Sequence, residues 1–571
     1  MQILLVASAF NSLTQRVFAE LRDHGHRVAV ELVREDDGFR RALAHHSPDL
    51  VVAPMLTTAI PKDVWSAVTC LVVHPGPVGD RGPSSLDWAV AEGAERWGVT
   101  VLQAEEVMDA GDVWAAAGCA VPPVGKSDLY RGEVADAATA AVLRAVERFA
   151  SGTHSPQRQT ADDQVRTRPW CTQDLRRIDW SSDPTGLVLR KLRAADSQPG
   201  VRDVLLGAEW FLHGGHPEDV LRGEPGRIVA TRDGAVCRAT VDGAVWIPQL
   251  RRPRTPGGPA GFKLPAVTAL GGSLPDVPEV PAPLTPPPGR RTWTEVEYHE
   301  HGPVGLLRFS FPGGAMSTGQ CHRLLAAYRH ALTRPTSVLV LGGARDFFSN
   351  GIHLNVIEAA PDPAAESWEN INAMDDLVEA VLTTGDRLTV AAVGGNASAG
   401  GVMLALAADE VWCRAGSVLN PHYRLMGLYG SEYWTDSLPR RVGPVRADRL
   451  MRQALPVSSA AAHRIGLVDR VVCASPEGFG AEAIRLAAEL AASPDLPLRT
   501  AAKAAALGPE RLAELAECRR AELERMRHDF WGPGGDYHRL RSAFVRKERT
   551  TGTPEHLAAV ADTAPPRPER G

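Results

Sequence analysis

No stretch of this 571-residue sequence reaches the ~20 consecutive apolar residues needed to span a bilayer. Basic excess is missing too. Lys and Arg total 62 against 68 Asp and Glu, and the net charge of -6 implies no broad cationic face for nucleic acid or anionic lipid. The arginines at 251, 252 and 254 do not make an RNA surface by themselves. The eight cysteines (70, 119, 171, 237, 321, 413, 473 and 518) include no Cys-x-x-Cys pair. They fit reduced, mostly buried thiols in a cytoplasmic protein. His45-His46 and His299/His301 lack partners at ligand spacing, so no metal site is expected. The opening MQILLVASAF has neither a basic leader nor a clear cleavage site and reads as a first strand.

What is present is alternation. Apolar runs at residues 3–7, 28–32, 50–55 and 71–74 are separated by amphipathic segments, with a helix over 136–150. This pattern predicts an α/β fold with a parallel sheet wound on both sides, whose ligands bind beyond the carboxyl ends of the strands. Residues 8–15, 54–58 and 74–85 follow those strands. From 153 to 270 short β-like runs are broken by glycine and proline, which predicts a small β-rich subdomain. Residues 274–290 hold seven prolines and read as a stiff, extended linker. Alternation restarts after 292, with strands expected at 304–311, 338–342 and 388–393 and helices over 477–491 and 510–530. The boundaries expected are 1–152, 153–270, a linker 271–292, 293–550, and a disordered tail 551–571.

The segment LVVHPGPVGDRGPSSLDWAV sets His74 directly after a buried strand, and Asp109 follows 35 residues later in MDAGD. A carboxylate can hold an imidazole in one tautomer and stabilise its charge, so the two can share a proton transfer. His74, Gly98-Val99-Thr100, Asp109 and Gly111 match in order and spacing the motif of the folate-dependent formyltransferases, which residues 1–250 resemble. The resemblance implies that 10-formyltetrahydrofolate is the formyl donor and that His74 and Asp109 are catalytic. Ser84 and Ser85, at the end of the loop, are cofactor-contact candidates. The family's catalytic asparagine falls on Val72. Its amide stabilises the oxyanion, so Gln15 or a backbone N–H of the 79–85 loop would have to replace it.

In the second half, ARDFFSNGIHL and VAAVGGNASAGGVMLALAAD place glycines where strand or loop enters helix, so that N–H groups can face an oxyanion. Together with Gly416, Leu438-Pro439-Arg440 and Val442-Gly443 they resemble the crotonase, or enoyl-CoA hydratase, family over about residues 293–545. That implies a ββα superhelix with the N–H groups of Ile352 and Gly400 as the thioester oxyanion hole. The two hydratase glutamates are absent: Met403 and Tyr423 stand in their places. Methionine is no base and a phenol is a poor one. Glu432, in GLYGSEYW, supplies a new carboxylate.

The fusion resembles the HypX (HoxX) family of nickel–iron hydrogenase maturation factors. The resemblance implies formyl transfer from 10-formyltetrahydrofolate to coenzyme A, then decarbonylation of formyl-CoA to carbon monoxide, the iron ligand of the hydrogenase. Glu432 would be the base and Tyr423 the proton donor. Gln15, Arg131, Ser197, Gln198, Arg541 and Arg546 are the coenzyme A candidates, as an arginine and polar amides suit a diphosphate and pantetheine. Hydrogenase maturation proteins are the partners implied; nucleic acid and membrane are not. Hydrolysis of formyl-CoA to formate, a non-catalytic assembly role and transfer to tRNA are the alternatives.

Overall fold

The computed structural model describes residues 1–160, 165–548 and 552–558. The chain divides into two compact units, one of residues 1–177, 190–201 and the C-terminal residues from 549, the other of residues 178–189 and 202–548.

In the first unit the apolar runs form a six-stranded sheet in the order Arg27–Leu32, Gln2–Ala7, Leu50–Ala53, Cys70–His74, Arg96–Gln103, Val113–Ala120. The central strands are buried on both faces, which is why they read as continuous apolar runs. The first four strands are parallel, as the alternation implies; Arg96–Gln103 runs opposite to them, and Val113–Ala120 opposite to Arg96–Gln103. The loop between those two is shorter than the roughly dozen residues a parallel crossover needs. The helix Ala135–Ser151 covers the sheet and ends on Gly152, whose φ of +66° closes it in the left-handed conformation.

The tail expected to be disordered from 551 is partly ordered. Thr553 accepts a hydrogen bond at its Oγ1 from Leu32 N–H (2.9 Å), on the edge strand, and Leu557 in the helix Glu555–Ala558 is buried. An edge strand offers unpaired donors, and the tail takes one of them. Residues 559–571 lie outside the described residues.

In the second unit the strands from Val201 to Pro265 form two four-stranded sheets. A six-stranded sheet follows, in the order Val296–His301, Val304–Phe309, Val338–Gly342, Leu388–Val393, Glu410–Arg414, Arg470–Val472, antiparallel only in its first pair. A three-stranded sheet of Ala397–Ser398, Val418–Asn420 and Val457–Ser458 stands beside it. The helix Thr318–Leu332 begins with a capping box between Ser317 and Gln320. The helices Pro363–Leu382 and Pro509–Trp531 pack together on this module.

The proline-rich segment, expected to be a stiff, extended linker, is docked along this unit. Pro278 O accepts from Thr231 N–H (2.9 Å), Val280 N–H returns a bond to Thr231 O (2.9 Å), and Leu284 O accepts from Tyr298 N–H (2.7 Å). Proline loses a donor but keeps its carbonyl, so such a segment can still be tied down through acceptors. At its end Glu218, 2% exposed, accepts from Trp246 Nε1 (2.9 Å) and Thr292 Oγ1 and faces Arg290 (3.2 Å). Burial opposes ionisation of Glu218, but the bonds from Thr292, Trp246 and the amides of Val220 and Leu221 outweigh it and hold the carboxyl below its ordinary range. A carboxyl depressed in the folded state contributes stability above its unfolded pKa, which is lost as pH falls through the folded value. Glu218→Ala should therefore cost about 3 kcal/mol at neutral pH and lower the calorimetric midpoint by several degrees. The deficit should shrink in strong acid; equal midpoints at neutral pH would contradict this account.

Candidate active sites

In the first unit, His74 closes the strand Cys70–His74 and points its ring between two acids. Nε2 lies 3.0 Å from Asp80 Oδ2 and Nδ1 lies 3.5 Å from Asp109 Oδ1. The ring is 5% exposed. Gly76 makes the arrangement possible: a Cβ there would come within 2.4 Å of His74 Nε2 and 2.3 Å of Asp80 Oδ2. Asp109 has φ +58°, an uncommon conformation for a residue with a side chain, and its Oδ2 accepts from Gly82 N–H (3.0 Å). Asp80 also accepts from Arg168 Nε (2.8 Å) and Ser85 Oγ (2.7 Å). Burial disfavours its charge, but His74, Ser85 and Arg168 together hold it below the usual carboxylate range.

Ser85 thus anchors Asp80, and its hydroxyl also reaches Pro75 O (2.9 Å); Ser84 Oγ accepts from Cys171 N–H (3.3 Å). Of the donors considered for the missing asparagine, Gln15 Nε2 donates to Phe10 O (2.9 Å), and Gly82 N–H, in the 79–85 loop, to Asp109. Val72 sits in mid-strand between Ala53 and Leu102.

Four coenzyme A candidates share one neighbourhood. Asn11, capping the helix of Gln15, donates to Tyr130 OH (3.1 Å). Arg131 follows on the same turn and donates to Ser127 Oγ (3.4 Å), which in turn bonds Asp196, beside Ser197 and Gln198. Lys126 Nζ donates to Gln198 O (2.8 Å). In the second unit, Arg541 and Arg546 share one carboxylate, Glu358, each at 3.0 Å. Arg541 is 4% exposed.

The second unit assembles its site around Gly400, the first residue of the helix Gly400–Leu406. Gly351, at φ +79°, brings the 351–352 backbone against it: a Cβ on Gly351 would lie 3.2 Å from Gly400 N. Among the described residues, neither Ile352 N–H nor Gly400 N–H donates to a backbone carbonyl outside a helix or strand. Two adjacent amides, one at a helix N-terminus, can receive an oxyanion. Glu432 stands over them. A Cβ on Gly400 would meet Glu432 Oε1 at 2.3 Å, and Tyr423 OH donates to Glu432 Oε2 at 2.7 Å. Both side chains are buried. Met403 is buried in the hydrophobic core.

Glu432 is surrounded by acids that the sequence gave no reason to single out. Asp375, on the helix Pro363–Leu382, accepts from Glu432 N–H (2.9 Å) and Ser431 Oγ (3.1 Å). Glu522, on the helix Pro509–Trp531, accepts from the N–H groups of Tyr433 and Thr435 (both 2.8 Å). Burial raises the Glu432 carboxyl well above its usual range, against the Tyr423 hydrogen bond and with help from the Glu522 charge. Asp375 is raised by burial and by the charge of Glu432, and burial pushes Glu522 up to about 8. Tyr423 is raised by burial and by the adjoining Glu432.

Three family models match the chain: formyl transferase over residues 32–146, formyl transferase C-terminal domain over 171–256, and enoyl-CoA hydratase/isomerase over 304–530. The hydrogenase maturation factor HoxX of Bradyrhizobium diazoefficiens is 47% identical over 562 residues, 98% of this chain and 97% of that protein. The chain belongs to the HoxX/HypX family of hydrogenase maturation factors. The crystal structure of HypX from Aquifex aeolicus in complex with tetrahydrofolic acid superposes with a TM-score of 0.94 at 43% identity, covering 98% of each chain. Methionyl-tRNA formyltransferase of Bacillus licheniformis is 28% identical over 239 residues, 41% of this chain and 72% of that protein. This HoxX/HypX member therefore carries a formyltransferase module and a crotonase-like module on one α/β chain. Among the described residues no helix is long and apolar enough to cross a membrane, and no group of His, Cys, Asp and Glu could hold a metal ion.

Asp80 had a faint sequence signal, an acid six residues after His74 in the same loop. Asp375 and Glu522 had none, each being one of several acids in a long helix. Their raised carboxyls have a consequence opposite in sign to that of Glu218. A carboxyl raised in the folded state contributes stability that is present below its unfolded pKa and lost as pH rises through the folded value. The second unit should lose stability between about pH 5 and about pH 8.5. Glu432→Gln should flatten that loss in thermal unfolding; an unchanged slope would contradict the assignment.

Proposed function

We propose that the first unit transfers the formyl group of 10-formyltetrahydrofolate to the thiol of coenzyme A, and that the second decarbonylates the resulting formyl thioester to carbon monoxide. The observation that carries the second half is the Tyr423–Glu432 pair set against Gly400, in a site whose two hydratase glutamate positions hold Met403 and Tyr423 instead. Two supports come from relatives: the Aquifex protein was crystallised with tetrahydrofolic acid, and the Bradyrhizobium protein is a hydrogenase maturation factor.

In the first unit His74, held by Asp80 and Asp109, takes the thiol proton during attack on the formyl carbon and returns it to the folate nitrogen. Gln15, Arg131, Ser197 and Gln198 are the residues proposed to hold coenzyme A in this unit, and Arg541 and Arg546 are those proposed in the second. Ser84 and Ser85 act through the loop that carries Asp80.

In the second unit the amides of Ile352 and Gly400 receive the formyl oxygen. Glu432 removes the formyl proton as the C–S bond breaks, and Tyr423 protonates the departing sulfur. The products are carbon monoxide and the free thiol, so atoms balance without an oxidant or a water. A carboxyl raised towards neutrality is a competent base near pH 7. Once Glu432 is protonated, the phenol loses the adjoining negative charge that held it a poor acid. The 2.7 Å hydrogen bond then lets Glu432 return the proton to Tyr423, resetting both groups. The carbon monoxide supplies a hydrogenase maturation partner in the cytoplasm.

Purified protein given 10-formyltetrahydrofolate should produce carbon monoxide, read by reduced haem, only with coenzyme A present. Tyr423→Phe and Glu432→Gln should each lower that rate by at least about 100-fold while folate is still consumed. Formate in place of carbon monoxide would establish a hydrolase, and no folate consumption by folded protein a non-catalytic role. Asp80→Asn should lower folate consumption by about 100-fold, and undiminished consumption would remove Asp80 from the transfer site.

A further inference from the structure

Residues 432 and 433 occupy a backbone conformation that side chains rarely adopt. Both have φ +61°, and neither is glycine. Each such residue costs on the order of 1 kcal/mol or more and persists only where its surroundings fix it. Here the surroundings are two buried acids on two different helices. Asp375 holds the amide of Glu432 and the hydroxyl of Ser431; Glu522 holds the amides of Tyr433 and Thr435 and the Thr435 hydroxyl. Both acids are 0% exposed.

Their geometry goes beyond bracing. Neutral asparagine or glutamine would serve a backbone amide equally well, without the cost of burying a charge. Asp375 Oδ2 is buried without a hydrogen-bond partner, and the nearest cation, Arg519 Nε, stands 3.9 Å away. Arg519 is drawn outward to Asp376 (2.5 Å) and Glu379 (2.7 Å). The groups facing Glu432 are therefore Tyr423, Asp375, Glu522 and the buried thiol of Cys321, with Arg519 behind Asp375.

We propose that Asp375 and Glu522 are positioning residues for Glu432: they lock the left-handed 432–433 pair, so that its carboxylate lies against Gly400, and their charge sets how readily that carboxylate takes a proton. The inference rests on the reading of Glu432 as the base, but it makes a claim that can be tested without turnover. Like charges in a shared low-dielectric site oppose each other's ionisation, so each acid makes Glu432 a stronger base than a lone carboxylate would be. The two residues then link the strain of the loop to the chemistry of its side chain.

The test is a pH titration of the full-length protein by infrared spectroscopy. The protonated-carboxyl band of Glu432 is identified as the one lost in Glu432→Gln. Glu522→Gln and Asp375→Asn keep an acceptor oxygen for the backbone but remove the charge. Each should move the Glu432 midpoint to lower pH, by about one unit. Arg519→Gln, at the partly exposed edge of the cluster, removes the facing cation and should move the midpoint the other way, a safeguard if either buried variant fails to fold. Glu522→Ala, which also removes the acceptor, should lower kcat for carbon monoxide release about 100-fold with little change in KM. A midpoint that stays in place in the folded variants would overturn the inference. A shifted midpoint in protein that makes no carbon monoxide would keep the inference and remove decarbonylation. Carbon monoxide production with an unshifted midpoint would do the reverse.

Discussion

The carboxylate of Glu432 can lie against the helix N-terminus at Gly400 only because that position has no side chain and because residues 432 and 433 turn left-handed. Much of the second unit follows from this contact. It places a carboxyl group beside two amides, brings the Tyr423 hydroxyl within hydrogen-bond distance, and relies on acids on the helices Pro363–Leu382 and Pro509–Trp531 to hold the turn. Substituting any part of it disturbs the others. A Cβ at Gly400 collides with Glu432, and a Cβ at Gly430 would press on the Tyr423 ring at 3.0 Å.

The two sites use buried acids in opposite ways. Around His74, donors outnumber the charge they serve: Asp80 receives His74, Ser85 and Arg168 and stays ionised despite its burial. Around Glu432 the acids outnumber the cations, and burial wins. An ionised Asp80 beside an imidazole suits a proton shuttle. A carboxyl poised near neutrality suits removal of a proton from carbon. One chain thus holds similar side chains in opposite states by the company each keeps.

Much of this was legible from the amino acids. Fully buried strands announce themselves as apolar runs, and glycines at strand-to-helix joints mark the places where amides are free to face a ligand. His74, Asp109 and Gly400 stood out because their loops matched family motifs, and Tyr423 and Glu432 because they depart from one. Asp375 and Glu522 did not, since an acid in a helix looks solvated until the fold shows which face is covered. The docking of the proline-rich segment was hidden for a related reason: its bonds run through carbonyls, which every residue has. The antiparallel pairing of Arg96–Gln103 with Val113–Ala120 depended on loop length, which alternation alone does not report.

The central claim is that the formyl carbon leaves as carbon monoxide after Glu432 has taken the formyl hydrogen. A single turnover with formyl-carbon-13, formyl-deuterium 10-formyltetrahydrofolate and coenzyme A tests it directly, with gas and solution analysed by mass spectrometry. The account predicts labelled carbon monoxide, with the deuterium released to solvent. Labelled formate that retains its deuterium would contradict it.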